Sequence, residues 1–137
     1  MKNAYQIYFE RNLDNIHPDL HSNLETIDTY GEVVSRNALI QILTFACLAT
    51  NHQAITVGSE AFKRLPNRTI ESHLTEAINE TISFSDPWDF GRLLEVLSEA
   101  GHHDFRKYVV MGRQSDLAEI REITDCVAGP LMEDQQN

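Results

Sequence analysis

The stretch "SDPWDFGRLLEVLSEAG", residues 85–101, carries a start signal, an apolar face and a stop signal for one helix. Ser85 and Asp86 supply a candidate N-cap, and the proline that follows suits the first helical position. The apolar side chains then recur at i, i+3, i+4 and i+7, and they are Phe90, Leu93, Leu94 and Leu97. Glycine at 101 suits the left-handed position just past a helix end. The stretch therefore predicts an amphipathic helix that ends at Gly101.

The same helical period extends from this stretch towards both termini. The inward positions it predicts are Tyr5, Tyr8, Phe9 and Leu13; Leu20, Leu24 and Ile27; Ile55, Ala61, Phe62 and Leu65; Ile70, Leu74, Ala77 and Ile78; Phe105, Tyr108 and Val109; and Leu117, Ile120, Ile123 and Val127. Thr29 and Glu32 match a capping box and predict the start of a central helix of about twenty residues. The second half of that helix is apolar on nearly every side, so other helices should surround it.

These patterns predict an all-α fold, because no stretch alternates with the period of a strand. We expect seven or eight short antiparallel helices, arranged as a right-handed α-solenoid or as a compact orthogonal bundle. A chain of 137 residues is the size of one domain, which we place at residues 1–130. Gly129-Pro130 should end the last helix, and residues 131–137 are expected to form a frayed acidic tail.

The location of the protein is predicted to be cytoplasmic. The N-terminus shows no basic and apolar pattern of a signal peptide. The longest apolar-rich stretch, residues 38–49, is too short to span a bilayer and suits a core helix. Cys47 lies in that stretch and is expected to be a small buried apolar residue, so the two cysteines do not form a disulfide framework.

Residues 88–125 resemble a HEAT-like helical repeat. The resemblance rests on a leucine-rich helix, the "EAGH-D" corner, a short helix, and a Ser-Asp start followed by "EIRE". As a small, acidic, single-domain helical chain, this protein also resembles bacterial immunity proteins. Those proteins bind and neutralise a toxin domain, often a nuclease, in contact-dependent inhibition and related systems. This second resemblance implies a protein-binding function.

The negative charge of the chain is concentrated in one region. The formal net charge is −10, and residues 69–104 hold eight acidic residues against one basic residue, Arg92. Phosphate binding needs basic surface, so this balance argues against nucleic acid as a direct partner. Glu76 and Glu80 are spaced i, i+4, as are Glu95 and Glu99, and like charges at that spacing destabilise a helix.

A set of acids spaced against local helix stability suggests a surface that binds a cationic protein. The predicted partner-binding residues are Glu76, Glu80, Asp86, Trp88, Asp89, Glu95 and Glu99. Trp88 is the candidate aromatic anchor, since tryptophan is enriched at interface hot spots. The function predicted from these residues is that of an immunity protein, which blocks a cationic toxin domain such as a nuclease. The alternatives are a generic helical scaffold or regulatory subunit that binds another protein, and a solvated acidic surface without a binding role.

Catalytic and metal-binding roles find little support in the sequence. There is no glycine-rich phosphate loop and no G-x-S-x-G motif, so we predict no enzyme activity, no cofactor and no membrane partner. His17 and His21 are spaced i, i+4 and could meet on a helix face, with Asp19 or Glu25 as a further ligand. Proline between them departs from the zinc-protease pattern, and we expect a capped loop instead.

The stretch "EAGHHDF", residues 99–105, places two histidines beside an aspartate. We interpret it as a corner between two helices, in which Gly101 ends the first and Asp104 caps the second. Adjacent residues at a turn are expected to point apart, so His102 and His103 should not form a chelating pair.

Overall fold

The computed structural model describes the backbone of residues 2–136 and the side chains of residues 2–129. Within these residues the structure has α-helices, 3₁₀ segments and one π-helical turn, and it has no strand. The all-α prediction is therefore confirmed. Backbone contacts divide the chain into two compact units, the first ending at Thr81 and the second beginning at Ile82. The single domain over residues 1–130, and the choice between solenoid and bundle, stay predictions.

The first unit contains four α-helices and two 3₁₀ segments. The elements are α1 (Ala4–Ile16), the 3₁₀ segments Leu20–Ser22 and Leu24–Tyr30, α2 (Glu32–Leu43) with the π-helical turn Thr44–Leu48, α3 (His52–Arg64) and α4 (Asn67–Thr81). As predicted for the central helix, α2 packs against α1, α3 and α4. Its side chains Ala38, Leu39, Ile42 and Leu43 are fully buried, and Cys47 in the π-helical turn is buried as well.

The predicted capping box at Thr29 is wrong. Helix α2 begins at Glu32, and its N-cap is Gly31, whose φ of 97° lies in a region that glycine adopts without strain. The Thr29 hydroxyl donates instead to the carbonyl of Thr26, inside the preceding 3₁₀ segment. Thr29 lies inside the 3₁₀ segment Leu24–Tyr30 and not at the residue before α2, so its hydroxyl is not at the N-cap position.

The second unit contains three α-helices. They are α5 (Pro87–Glu99), α6 (Phe105–Arg113) and α7 (Ala118–Gln136). The predicted inward face of α5 is confirmed, since Phe90, Leu93, Leu94 and Leu97 are all buried. Helix α7 packs against both α5 and α6.

The predicted end of the last helix at Gly129-Pro130 is wrong. The backbone of α7 continues to Gln136. Proline removes one backbone donor and bends a helix, but neighbouring bonds can carry the helix past it. The side chains of residues 130–137 lie outside those described, so the predicted acidic tail is not tested.

Candidate functional site

The first turn of α5 holds three of the predicted partner-binding residues close together. Asp86 is the N-cap, as the sequence predicted, and its carboxylate accepts from the backbone N–H groups of Trp88 (2.8 Å) and Asp89 (3.1 Å). Pro87 occupies the first helical position. The Trp88 side chain is 46% exposed. The cap therefore orders the backbone of the turn that carries an exposed tryptophan, with an aspartate on either side of it in the sequence.

Asp89 is held in a less favourable environment than an ordinary surface aspartate. Its carboxylate accepts from the backbone N–H of Ser83 at 3.2 Å. Burial raises the pKa of Asp89, the Ser83 hydrogen bond lowers it in part, and the nearby charge of Asp86 raises it further. The net pKa of Asp89 is above the ordinary value, so the hydrogen bond from Ser83 does not fully compensate the cost of its buried negative charge.

In each of the two acidic i, i+4 pairs, an arginine compensates the charge of one of the two carboxylates. Glu76 on α4 pairs with Arg36 of α2 at 3.0 Å, and Glu95 on α5 pairs with Arg92 one turn earlier. The sequence argument that both pairs repel without relief is therefore wrong. Arg36 is 40 positions from Glu76, so only the packing of α2 on α4 shows this partner.

Two predicted carboxylates keep no intramolecular partner among the described residues. Glu80 on α4 and Glu99 at the end of α5 are exposed, and neither forms a hydrogen bond or an ion pair there. Glu76 and Glu80 belong to the first unit. The second unit brings together Asp86, Trp88 and Asp89 on one turn and places the other two acids further along α5 in the sequence. The candidate surface is thus smaller than the sequence suggested.

The "EAGHHDF" stretch forms a tight helix end. Gly101 has a φ of 64°, its N–H donates to Ser98, and the N–H of His102 donates to the carbonyl of Leu97 at 2.9 Å. These two bonds are the Schellman pattern, so the prediction for Gly101 is confirmed.

The predictions for the next three residues of this corner are confirmed in part. The rings of His102 and His103 do not point apart but stack, with centroids 4.5 Å apart. Asp104 is the N-cap residue of α6, as predicted, but its side chain makes no capping bond, and His102 Nδ1 accepts from its backbone N–H. Asp104 has helix-like backbone angles, whereas a capping side chain needs extended ones to accept from the N–H groups of the first turn.

The structure also separates His17 from His21. The His17 ring stacks on Tyr30 at 4.0 Å between centroids. The Nδ1–H of His21 donates to the carboxylate of Asp14 at 2.8 Å from both oxygens. Of the acids considered as further ligands, Glu25 pairs with Arg64. The i, i+4 spacing does not join the two rings, because Pro18 and the left-handed residue Asp19 interrupt the helix between them.

Asp14, His21 and Ser22 line up in the order of a hydrolase triad. The Ser22 hydroxyl lies 3.1 Å from His21 Nε2, and the Asp14 carboxylate binds the opposite ring nitrogen. A triad also needs backbone donors aimed at a developing oxyanion. The N–H groups of His21, Ser22 and Asn23 all donate to other groups within the chain. The arrangement orders this turn but offers no oxyanion site there.

Two carboxylates in this cluster are stabilised in their ionised form. Burial raises the pKa of Asp14, but hydrogen bonds from the backbone and ring of His21 and the charge of that ring together bring it below the ordinary value of 3.8. Burial likewise raises the pKa of Glu10, and hydrogen bonds from Lys2 and Gln6 with nearby positive charge bring it below 4.5. The folded state therefore prefers both groups charged.

We expect the Asp14 cluster to make folding sensitive to acid. A group with a lowered folded-state pKa contributes stability above its unfolded pKa, and that contribution is lost as the pH falls through the folded value. For Asp14 the loss begins near its ordinary value of 3.8 and continues below it. Urea unfolding between about pH 6 and about pH 3 should therefore show a smaller decline for Asp14→Asn than for the unchanged chain.

Asp116→Asn serves as the control for this experiment, because its carboxylate forms no ion pair or hydrogen bond among the described residues. It should keep the full decline. If Asp14→Asn and the unchanged chain decline in parallel, the cluster does not stabilise the fold in the way described.

Sequence reasoning missed an apolar groove in the second unit. The cavity measures about 520 Å³ and lies between Phe84, α6 and the start of α7. Leu117, predicted to face inward on the last helix, is exposed and lies just before α7 begins. The sequence shows no sign of this groove, because its apolar residues belong to no periodic core pattern. Phe84 lies in the connection before α5, and Val110 and Met111 lie off the predicted inward face of α6.

Comparisons with known proteins give no relatives for this chain. No protein family, no curated protein and no solved structure matches it.

Among the described helices, none combines the length and apolar character that crossing a bilayer requires. The fold and site thus define a small all-α chain with an acidic, tryptophan-bearing helix start and an apolar groove in its second unit.

Proposed function

We propose that this chain is a protein–protein interaction module that binds a cationic protein through its acidic side chains. The observation that carries the proposal is the first turn of α5, where Trp88 is 46% exposed between Asp86 and Asp89. Tryptophan is enriched at the hot spots of protein–protein interfaces. Carboxylates whose charge is not fully compensated gain from a cation brought close to them.

Two exposed carboxylates, Glu80 in the first unit and Glu99 in the second, add to the negative charge that a cationic partner meets. Glu80 and Glu99 have no intramolecular partner among the described residues, so binding a cation would not first require breaking an ion pair. Glu76 and Glu95 are bound to arginines and contribute less. A net charge of −10 would also speed the approach of a basic partner at low salt.

The particular function we propose is that of a bacterial immunity protein. Such a protein would act in the cytoplasm, where it would occlude the working surface of a cationic toxin domain, a nuclease for example. This step rests on the small size, acidity and helical build of the chain. It adds a biological role to the binding chemistry proposed above.

The binding proposal is tested by capturing the partner with purified protein. The unchanged chain should retain a basic protein from its native host, with the product of the neighbouring open reading frame as the first candidate. The partner is identified by mass spectrometry and bound again in purified form. A variant with Glu80→Gln, Glu99→Gln and Trp88→Ala should bind it at least about tenfold more weakly. Binding of the unchanged chain should weaken as salt increases.

A matched control carries Glu32→Gln, Glu60→Gln and Tyr8→Ala, which remove the same charges and one exposed aromatic side chain elsewhere. It should bind like the unchanged chain. Equal affinity of all three proteins, or an acidic partner, would contradict the proposal. The immunity role additionally requires that expression of the partner alone is toxic and that co-expression of this chain restores growth.

A further inference from the structure

A small polar cavity in the first unit lies where the starts of α2 and α4 meet the end of the 3₁₀ segment Leu24–Tyr30. It measures about 220 Å³, and its described lining consists of charged side chains, hydroxyls, one histidine and one glycine. The lining residues are Asp28, Gly31, Glu32, Ser35, Arg68, Thr69, Ser72 and His73. Because the hydrophobic effect needs apolar walls, this cavity suits a small polar ligand.

Thr69 contributes a buried hydroxyl that has no partner within the described part of the chain. The residue is 2% exposed, and its hydroxyl oxygen forms no hydrogen bond there. Thr44, Thr56 and Thr81 each donate to the carbonyl four residues earlier. Thr69 lies in the first turn of α4, so the residue four positions earlier precedes the helix. Buried hydroxyls without a partner are rare and costly, and a ligand seated against Thr69 would supply the partner.

The start of α2 supplies donors for a negatively charged group. Its N-cap is Gly31, which offers no side-chain acceptor to the N–H groups of the first turn. Those N–H groups and the helix dipole favour an anion at this position. Arg68, in the first turn of α4, lines the same cavity and adds a guanidinium. A carboxylate in the cavity therefore finds both backbone and side-chain donors.

The same cavity also carries negative charge. Arg68 pairs with Asp28 at 2.8 Å. Glu32 is exposed and forms no ion pair or hydrogen bond among the described residues. One guanidinium thus lies among two carboxylates, so an anion without a positive group would be repelled. A cation without a negative group would meet the positive ends of two helices. A ligand that carries both charges satisfies both sets of groups.

We infer that this cavity binds a small zwitterion, a free α-amino acid with a short polar side chain. Its carboxylate accepts from the start of α2, from Arg68 and from the Thr69 hydroxyl, and its ammonium faces Asp28 and Glu32. One carbon separates the two charged groups of an α-amino acid, which suits a cavity of about 220 Å³. The inference goes beyond the proposed binding of a cationic protein and does not depend on it.

The probe for the test is L-serine, and its binding to the full chain is measured by isothermal titration calorimetry. The unchanged chain should bind L-serine with a dissociation constant below about 1 mM. Glycolate has a carboxylate and a hydroxyl but no ammonium, and ethanolamine has an ammonium but no carboxylate. Each should bind at least about tenfold more weakly than L-serine. Equal binding of either fragment, or no binding of L-serine, would overturn the inference.

Thr69→Val tests the buried hydroxyl. Because that hydroxyl has no partner among the described residues, its removal should leave the urea midpoint of unfolding unchanged or raise it. The affinity for L-serine should nevertheless fall at least about fivefold. Thr75→Val is the matched control, since Thr75 is exposed on the same helix and is outside the described lining. It should bind like the unchanged chain, and equal affinities of the two variants would overturn the inference.

Glu32→Gln tests the contact with the ammonium. It should weaken L-serine binding at least about fivefold, while Glu60→Gln, an exposed position of α3 outside the described lining, should not. Equal affinities of these two variants would contradict the inference. The variant with Glu80→Gln, Glu99→Gln and Trp88→Ala should bind L-serine like the unchanged chain. Failure of the proposed protein binding is thereby distinguishable from failure of this inference.

Discussion

Replacing Phe9 with alanine should lower the free energy of unfolding by about 4 kcal/mol. The Phe9 side chain is 2% exposed, and its ring lies 4.9 Å from that of Phe45 at an angle of 60°. Truncation would remove the burial of a large ring and leave a cavity between α1 and its neighbours. Urea unfolding followed by far-UV circular dichroism measures the loss, which is a large fraction of the stability of an ordinary domain.

Tyr8→Ala provides the control at the adjacent position of the same helix. The sequence pattern assigned Tyr8 to the inward face, but its side chain is 58% exposed and only stacks loosely on Phe45 at 6.3 Å. Its removal should cost below about 1 kcal/mol. Similar losses for the two variants would mean that α1 does not pack as described.

Gly58→Ala should destabilise the first unit by about 3 kcal/mol. A Cβ atom at position 58 would meet the backbone nitrogen of Ala46, and it would lie 2.9 Å from both the Cα of Ala46 and the carbonyl oxygen of Ile42. These are backbone atoms of α2 and its π-helical turn, so they cannot move aside as a side chain can. Helix α3 would have to move away from the core, which outweighs the better helix propensity of alanine.

Gly91→Ala is the matched control, because it is also a buried helical glycine. There a Cβ would meet Cγ1 of Ile123 at 2.7 Å, and that atom belongs to a side chain and not to the backbone of a neighbouring helix. We expect a loss below about 1.5 kcal/mol, measured by the same urea titration. Equal losses for the two variants would contradict the close backbone contact at Gly58.

Helix α5 shows how far the sequence could predict the structure. Its cap at Asp86, its buried face and its end at Gly101 were all predicted, because each depends on residues within one or two turns. The capping box at Thr29 failed for a related reason. Thr29 lies inside a 3₁₀ segment, and the positive φ of Gly31 ends that segment before α2 begins, which the motif alone does not show.

The candidate site was predicted less completely. The sequence predicted the cap and the position of Trp88 on the first turn, but it could not show that Arg36 neutralises Glu76. It also missed the groove, because Phe84 and Met111 come from separate elements and share no period. Leu117 was assigned to the core by spacing, yet α7 begins only at Ala118, and Leu117 remains exposed.

The sequence by itself determined the all-α class, most of the helices and the strong negative charge, because helical period, caps and composition are local properties. Only the tertiary structure decided which acids keep their charge uncompensated and which apolar side chains stay exposed. Both depend on groups brought together from distant positions, as Arg36 and Glu76 are by the packing of α2 on α4. Ion pairing and burial act through space, and a linear pattern does not record those distances.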